Sequence, residues 1–287
     1  MGLTSIVLNT VGSPLNRILQ AEEGGREEEG LLGTPYHQPT LAPESLFDIG
    51  PITVTNSMLM TVLSVLLLTL VAVWFSRGMK LIPNGKQNFL EMIIEALLGL
   101  VESTAGRRVG RVVLPLIGTL FVYILFANWF SLLPGVGTLL WHGGGHEEGV
   151  PLFRAPNADL NMTLAMAVLT IVIVQIAGIA AHGVGGHFKE YINPLHLIDE
   201  IARVLSLSIR LFANVFGGEV LLTVMLALSF LGAIAVLPVV IPVVFLGLEL
   251  FIGLIQALVF ALLALIYITL AVGSHGDDQH ATEESAH

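Results

Sequence analysis

The amino-acid sequence predicts an all-α, polytopic membrane protein, and its composition and apolar runs are the observations behind that prediction. Of its 287 residues, 54% are hydrophobic and only 12% are charged, and the mean hydropathy is +0.84. Soluble globular domains carry about 25% charged residues. Several uninterrupted apolar runs are long enough to cross a hydrocarbon core of about 30 Å as helices. We therefore expect a membrane domain over 51–275, preceded by an extramembrane segment over 1–50 and followed by an acidic tail over 276–287.

Five segments are predicted to cross the membrane, at 54–75, 112–133, 160–181, 197–230 and 239–272. The last two contain roughly 30 residues each, which corresponds to about 45 Å of helix. Helices of that length must tilt, kink or protrude from a bilayer. Because only the short turn Gly232–Pro238 joins them, we expect the last two spans to form a long tilted hairpin.

A sixth apolar stretch, 87–104, is predicted to lie along the inner membrane surface as an amphipathic helix. Glu91, Glu95 and Glu102 share one face of this helix, and basic residues flank both of its ends. Basic residues favour the cytoplasmic side of a membrane. With this stretch on the surface, seven basic residues fall inside: Arg77, Lys80, Lys86, Arg107, Arg108, Arg111 and Lys189. Only Arg17, Arg26 and Arg154 fall outside, which predicts an outer N-terminus and a cytoplasmic C-terminus.

Composition and missing motifs exclude several functions. The chain has no Cys, which excludes disulfides, thiolate metal sites and cysteine nucleophiles. Its net charge of −10 argues against nucleic acid as a partner, because phosphate binding needs a basic surface. The run WHGGGHEEG at 141–149 resembles half of a zinc-protease motif, but Val150 stands where the second histidine belongs. Walker and nucleophile-elbow motifs are also missing, so we predict no hydrolytic machinery, no cofactor and no bound metal.

The run LSLSIRLFANVFGGEV at 205–220 places an arginine, Arg210, inside an apolar span. A charge at the centre of a bilayer costs about 2.5–3.5 kcal/mol on insertion scales. At 100° per residue, one helical stripe contains Asp199, Arg203, Ser206, Arg210 and Asn214. The following acid of this run lies on the opposite face and cannot pair with Arg210 inside the same helix. We therefore expect Arg210 to be compensated by another helix, another subunit or water.

Further polar groups recur in the neighbouring spans. Glu249, Gln256 and Tyr267 share one stripe of the last span, and Asp159 and Asn161 stand where the third span begins. Acidic side chains inside spans are typical of a proton path. Each also has a structural alternative: Asp159 could cap its helix, Gln256 could hydrogen-bond a neighbouring helix, and Glu249 could be protonated.

Two of these runs together carry a resemblance to a known family. The sequence SLSIRLFANVFGGE at 206–219, followed by ELFIGLIQALVFALLALIYITLA at 249–271, resembles the a subunit of F-type ATP synthases. The resemblance extends from about 45 to 275 and includes PNADLN. It implies a non-catalytic, proton-conducting stator subunit of the Fo sector. It also implies a c-subunit ring, b-type peripheral-stalk subunits and membrane lipid as partners, with the F1 sector, which carries the ATP chemistry, as an indirect partner.

The resemblance also assigns roles to matching positions of this sequence. Arg210 matches the arginine that faces the c-ring, and Asn214 lies one turn further on. Two half-channels are implied. The outer one matches Glu219, Glu249 and Gln256, with Asp159 and Asn161 at its mouth, and the inner one matches Asp199, Glu200 and Ser206.

The sequence departs from the family pattern in three ways. Many relatives pair a carboxylate with a histidine where this chain has Glu219 and Glu249. Two neighbouring carboxylates repel each other, so we expect one of them to hold a proton. Val204 and Arg203 stand where many relatives have proline and lysine, which affects the inner assignment only.

Two other readings of the buried charges stay open. A proton-coupled secondary transporter would show internal repeats, and none is found in the sequence. A structural scaffold would tolerate apolar replacement of Arg210 and Glu249. Co-purification with a ring of small hairpin proteins would separate both from the channel interpretation. The acidic N-terminal segment is unlike an Arg-rich transit peptide, which favours a bacterial plasma membrane, with an organellar genome as the alternative.

Overall fold

The structure is a computed structural model that describes residues 40–50, 52–77, 85–133, 136, 139–141, 149–190, 194–231 and 237–273. At 184–190, 194–197, 226–231 and 237–239 it describes the backbone alone. The predictions for 1–39, the His142–Glu148 loop, the turn at 232–236 and the tail at 274–287 lie outside the described residues.

Five long helices dominate the fold: α1 (Asn56–Ser76), α2 (Gly85–Ser131), α3 (Leu160–Glu190), α4 (Pro194–Leu231) and α5 (Leu237–Gly273). Within the described ranges, each contains a stretch long and apolar enough to cross a membrane. The predicted all-α polytopic fold is confirmed. The helices contain the five predicted spans, except that residues 54 and 55 belong to a strand and residues 132 and 133 follow the end of α2.

Two glycines break helices that are otherwise continuous. Gly106 in α2 has φ 73° and ψ 162°, and Gly183 in α3 has φ 74° and ψ 163°. This backbone region is essentially restricted to glycine, because a Cβ atom would clash with the main chain. The break at Gly106 separates the stretch 87–104 from the span that begins near 112, as the sequence predicts. The location of 87–104 on the membrane surface stays a prediction.

Helices α4 and α5 pack against each other as an antiparallel pair. Arg203 lies over the ring of Tyr267, and Asn214 bonds Gln256, so residue numbers rise along α4 as they fall along α5. The two helices contain 38 and 37 residues, which corresponds to about 55 Å each. Both therefore exceed the length of a straight crossing of the hydrocarbon core.

Helix α5 is the centre of the bundle. Its buried face carries Ala257, Phe260, Ala261, Ala264 and Leu265, all at most 2% exposed. Small side chains at this spacing let neighbouring helices approach closely, which is how membrane helices gain packing energy. Helix α5 contacts α2, α3 and α4, whereas α1 contacts the edge of the bundle and is mostly exposed.

Short strands and an irregular segment close the end of the bundle at which α3 begins. Strand β1 (Ser45–Ile49) pairs antiparallel with β2 (Ile52–Thr55), and β3 (Leu140–Trp141) pairs with β4 (Val150–Pro151). The first hairpin is not part of the sequence prediction, and its turn falls at the expected domain boundary. A 3₁₀ turn, Pro156–Ala158, lies within a buried stretch that extends over 154–159.

We predict that Gly106→Ala destabilises the protein by about 1–3 kcal/mol, because alanine would have to adopt a backbone conformation that only glycine populates readily. No heavy atom lies within 4 Å of the added Cβ atom, so the cost is one of backbone strain rather than crowding. Thermal unfolding of the detergent-solubilised protein measures it. Gly99→Ala is the matched control, since Gly99 is an exposed helical glycine with equal space around it. Equal thermal unfolding midpoints for Gly106→Ala and Gly99→Ala would contradict the explanation by backbone strain.

Candidate functional site

Arg210 lies on the exposed face of α4, about midway along the helix. Its Nη2 atom donates a hydrogen bond to Ser206 Oγ at 3.3 Å. No carboxylate in the described part of the chain lies within ion-pair distance of its guanidinium. The surface around it is apolar, with Leu205 and Ile209 about half exposed on the same helix. Arg210 is thus a cation on an apolar surface, as the sequence predicts.

The predicted stripe of α4 is confirmed in its main part. Asp199, Ser206, Arg210 and Asn214 are all exposed on one side of the helix. Arg203 lies at the margin of the stripe with 24% exposure, and its guanidinium turns toward nearby acids.

A first polar cluster, the Glu219 cluster, joins α4 and α5 on one side of Arg210. It contains Glu219, Glu249, Asn214 and Gln256, all predicted from the sequence. Asn214 Nδ2 donates to Gln256 Oε1 at 2.6 Å, and Gln256 is only 4% exposed. The helix-bridging alternative for Gln256 therefore holds, and the same contact places its amide beside the Arg210 stripe.

Gly218 explains how Glu249 reaches α4. A Cβ atom at position 218 would lie 1.7 Å from Glu249 Oε1, so only glycine leaves room for the carboxylate. Because Glu219 is the next residue of α4, the two acids interact electrostatically across the helix pair. The structure therefore brings together the two carboxylates that the sequence places on separate helices.

Arg154 completes this cluster. Its Nε atom lies 3.7 Å from Glu219 Oε2, and its side chain is 5% exposed. The guanidinium donates to the backbone carbonyls of Ala42, Thr40 and Ala158 at 2.8, 2.5 and 3.3 Å. From the sequence, Arg154 is predicted only as a basic residue outside the membrane. A single arginine ahead of PNADLN gives no periodic signal of its burial, so sequence reasoning missed this contact.

Asp159 caps the start of α3. Its Oδ1 atom accepts from the backbone N–H of Asn161 at 2.9 Å, and its Oδ2 atom accepts from the hydroxyl of Ser57 at 2.6 Å. Asp159 is 3% exposed, while the Asn161 side chain is exposed. The capping interpretation is thus confirmed, and the cap ties α1 to α3 on the same side of Arg210 as the Glu219 cluster.

A second polar cluster, the Glu200 cluster, lies on the other side of Arg210. Arg203 pairs with Asp199 at 2.5 Å and with Glu200 at 3.6 Å, and Gln175 of α3 donates to Glu200. The ring of Tyr267 lies 5.1 Å from the Arg203 guanidinium carbon. Unlike Arg210, Arg203 is therefore compensated by acids of its own helix.

The two clusters lie at different heights along α4. At 1.5 Å per residue, Glu200 and Glu219 lie about 15 and 14 Å from the level of Arg210. Carboxylates can take up and release protons and amides can hydrogen-bond to the groups that do so, whereas an arginine holds its proton at all physiological pH values. The arrangement therefore provides two sets of proton-exchanging groups with a fixed cation between their levels.

Known proteins match this chain over the same helices. Residues 58–269 match the family model for the ATP synthase A chain. ATP synthase subunit a of Moorella thermoacetica is 34% identical over 240 residues, which are 81% of this chain and 98% of the relative. ATP synthase subunit a of Desulforamulus reducens is 33% identical over 232 residues, 78% of this chain and 82% of the relative. The corresponding protein of Mycobacterium marinum is 35% identical over 198 residues, 67% of this chain and 75% of the relative.

The matched region runs from α1 into α5 and contains Arg210 and both polar clusters. A family match over most of the chain and relatives above 30% identity agree on one assignment. This polytopic membrane protein belongs to the ATP synthase A chain family.

Proposed function

We propose that this chain is the proton-conducting stator subunit of the Fo sector of a bacterial ATP synthase. It lies in the plasma membrane with its N-terminus outside and its C-terminus in the cytoplasm. Its partners are a ring of c subunits, b-type peripheral-stalk subunits and, indirectly, the F1 sector that makes ATP. The family assignment and the bacterial origin of the relatives support the proposal.

One observation carries the mechanism: within the described residues, Arg210 is exposed on an apolar face of α4 and has no acidic partner. A cation that cannot lose its proton needs an anion in a medium of low dielectric. A carboxylate on a neighbouring rotor supplies that anion only when it is deprotonated. Arg210 thereby attracts the ionised rotor site and releases the protonated one.

The Glu219 cluster forms the outer half-channel in this proposal. A proton enters past Asp159 and Asn161 and reaches the rotor carboxylate through Glu249, Glu219 and Gln256. Because the protonated carboxylate is neutral, it can face lipid, where an ionised one would cost several kcal/mol. The half-buried carboxylates of Glu219 and Glu249 and the contact between Asn214 and the buried Gln256 support this path.

The Glu200 cluster with Ser206 forms the inner half-channel. After almost a full turn of the ring, the rotor carboxylate reaches this side and loses its proton past Asp199 and Glu200 to the cytoplasm. The anion then returns to Arg210, whose fixed charge blocks direct proton flow between the two paths. Each charge that crosses supplies about 2.3 kcal/mol per 100 mV of membrane potential, and several charges together drive the synthesis of one ATP.

We predict that Arg210→Ala abolishes coupled pumping, because the rotor anion loses its attracting charge. ATP-driven proton uptake by inverted membrane vesicles should fall at least about tenfold, while the passive leak through vesicles stripped of F1 rises. Arg108→Ala is the control, since Arg108 is an exposed arginine away from both clusters. Coupled pumping at the wild-type rate in Arg210→Ala would refute the mechanism.

We predict that Glu249→Leu lowers the passive proton conductance of vesicles stripped of F1 by about tenfold or more, because the outer path loses an exchanging group. Glu95→Leu removes an exposed carboxylate of α2 and serves as the control. If Glu249→Leu vesicles conduct protons as fast as the wild type, Glu249 does not belong to the path.

We predict that Gly218→Ala lowers the same conductance about threefold to tenfold with little loss of assembled complex. The added methyl group displaces the Glu249 carboxylate, which is the flexible end of a side chain and can move at small energetic cost. Gly217→Ala is the matched control, because a Cβ atom there meets no heavy atom within 4 Å. Equal conductance in the two variants would show that the position of the carboxylate does not matter.

A further inference from the structure

We propose that Arg154 is a positioning residue of the outer path: it holds Glu219 as an anion and thereby makes Glu249 the group that carries the mobile proton. This inference rests on the proposed function, because it assigns unequal roles to two acids of the same half-channel. The assignment follows from the surroundings of the two carboxylates, which differ although the residue types are identical.

The guanidinium of Arg154 is fixed by the fold. Three backbone carbonyls, of Thr40, Ala42 and Ala158, accept its hydrogen bonds, and the side chain is 5% exposed. The ring of Phe216 lies 5.8 Å from its central carbon. Phe216 and Glu219 lie one turn apart on α4, so Arg154 is held against the face of α4 that carries Glu219.

The buried positive charge of Arg154 has to be compensated by a negative charge nearby. Arginine keeps its proton under all physiological conditions, and carbonyl dipoles supply only partial negative charge. The Glu219 carboxylate lies 3.7 Å from Arg154 Nε and provides the full counter-charge. Arg154 is buried and the Glu219 side chain is 32% exposed, so solvent screens the pair only in part, and the same contact that neutralises Arg154 favours the ionised form of Glu219.

Glu249 has the opposite surroundings. In the part of the chain that the structure describes, no basic side chain forms an ion pair with it. Its carboxylate instead reaches the backbone of α4 at Gly218 and interacts with the charge of Glu219. With Glu219 held as an anion, a second negative charge at Glu249 is unfavourable. The proton shared by the two acids therefore resides on Glu249, from which it can pass toward Gln256.

Arg154 also has a structural role, because its hydrogen bonds to the carbonyls of Thr40 and Ala42 hold the segment before β1 against the bundle. The experiment must separate this structural role from the effect of the Arg154 charge on Glu219. Two substitutions separate fastening from charge. Arg154→Gln keeps a long hydrogen-bonding side chain and removes the charge. Arg154→Lys keeps the charge and removes the forked geometry that reaches several carbonyls.

The experiment uses the complete ATP synthase in liposomes and measures passive proton conductance after removal of F1, normalised to the amount of assembled a subunit. We expect Arg154→Gln to lower conductance about tenfold or more and Arg154→Lys to stay within about threefold of the wild type. Arg108→Gln, at an exposed position, controls for loss of an arginine elsewhere.

A double-mutant cycle with Glu219→Gln tests whether the two residues act through each other. Without Arg154, Glu219 is expected to be protonated already, so Arg154→Gln/Glu219→Gln should conduct no worse than the poorer single variant. If Arg154→Gln impairs assembly, the double variant should recover it, because it no longer buries an unpaired carboxylate. Losses that multiply in the double variant would show independent roles and overturn the inference.

Two further outcomes separate the charge of Arg154 from its structural role, and this inference from the proposed function. If Arg154→Lys is as defective as Arg154→Gln, Arg154 acts by fastening the chain and not by its charge. If Arg154→Gln conducts normally while Glu249→Leu and Arg210→Ala fail as expected, only this inference falls. Normal conduction by Glu249→Leu together with coupled pumping by Arg210→Ala would instead remove the proposed function itself.

Discussion

The charge of Arg210 constrains the rest of the structure more than any other interaction. An arginine in an apolar span cannot escape the cost of burial by becoming neutral, as a lysine can by losing a proton and an acid can by gaining one. No acid in the described residues of this chain lies within ion-pair distance of Arg210, and the exposed side chains of Leu205 and Ile209 beside it on α4 are apolar. The free energy that this charge requires must therefore come from groups other than the described residues. In the proposed function, a rotor carboxylate at the same depth supplies it.

Two other arginines of the bundle, unlike Arg210, have acidic partners within the chain itself. Arg154 is surrounded by backbone carbonyls and the Glu219 carboxylate, and Arg203 is paired with Asp199 and Glu200. Both are compensated by the chain that carries them. The same fold thus compensates two cations internally and leaves Arg210, which lies on α4 between Arg203 and Glu219, on the exposed face. This contrast argues against a general shortage of acids as the reason for the exposure of Arg210.

Much of the architecture could be predicted from the sequence because the bilayer imposes a simple length rule. The five spans follow from apolar runs, and the stripe that contains Asp199, Arg210 and Asn214 follows from helical periodicity. The break at Gly106 also agrees with the predicted separation of two helical segments. These features depend on residues close together in the chain, where periodicity and length are sufficient.

Contacts between distant segments could not be predicted in this way. The pairing of Asn214 with Gln256 depends on the vertical register of α4 and α5, and the approach of Glu249 depends on the missing side chain of Gly218. Arg154 reaches Glu219 only because an irregular segment folds back into the bundle. The β1–β2 hairpin was missed because its two strands are shorter than the window in which periodicity can be measured.

The attachment of α1 has a mechanical consequence. Its polar bonds gather at one end, where Asn56 reaches Pro151 and Ser57 reaches Asp159, while large apolar side chains from Val62 to Trp74 lie exposed along the remainder. Polar bonds thus fix the first turn of α1, and the fully buried Met60 and Ser64 hold the following turns against the bundle. The far half of the helix is mostly exposed. A force applied to that half is therefore resisted mainly by the contacts of the first half, among them the bond between Ser57 and Asp159.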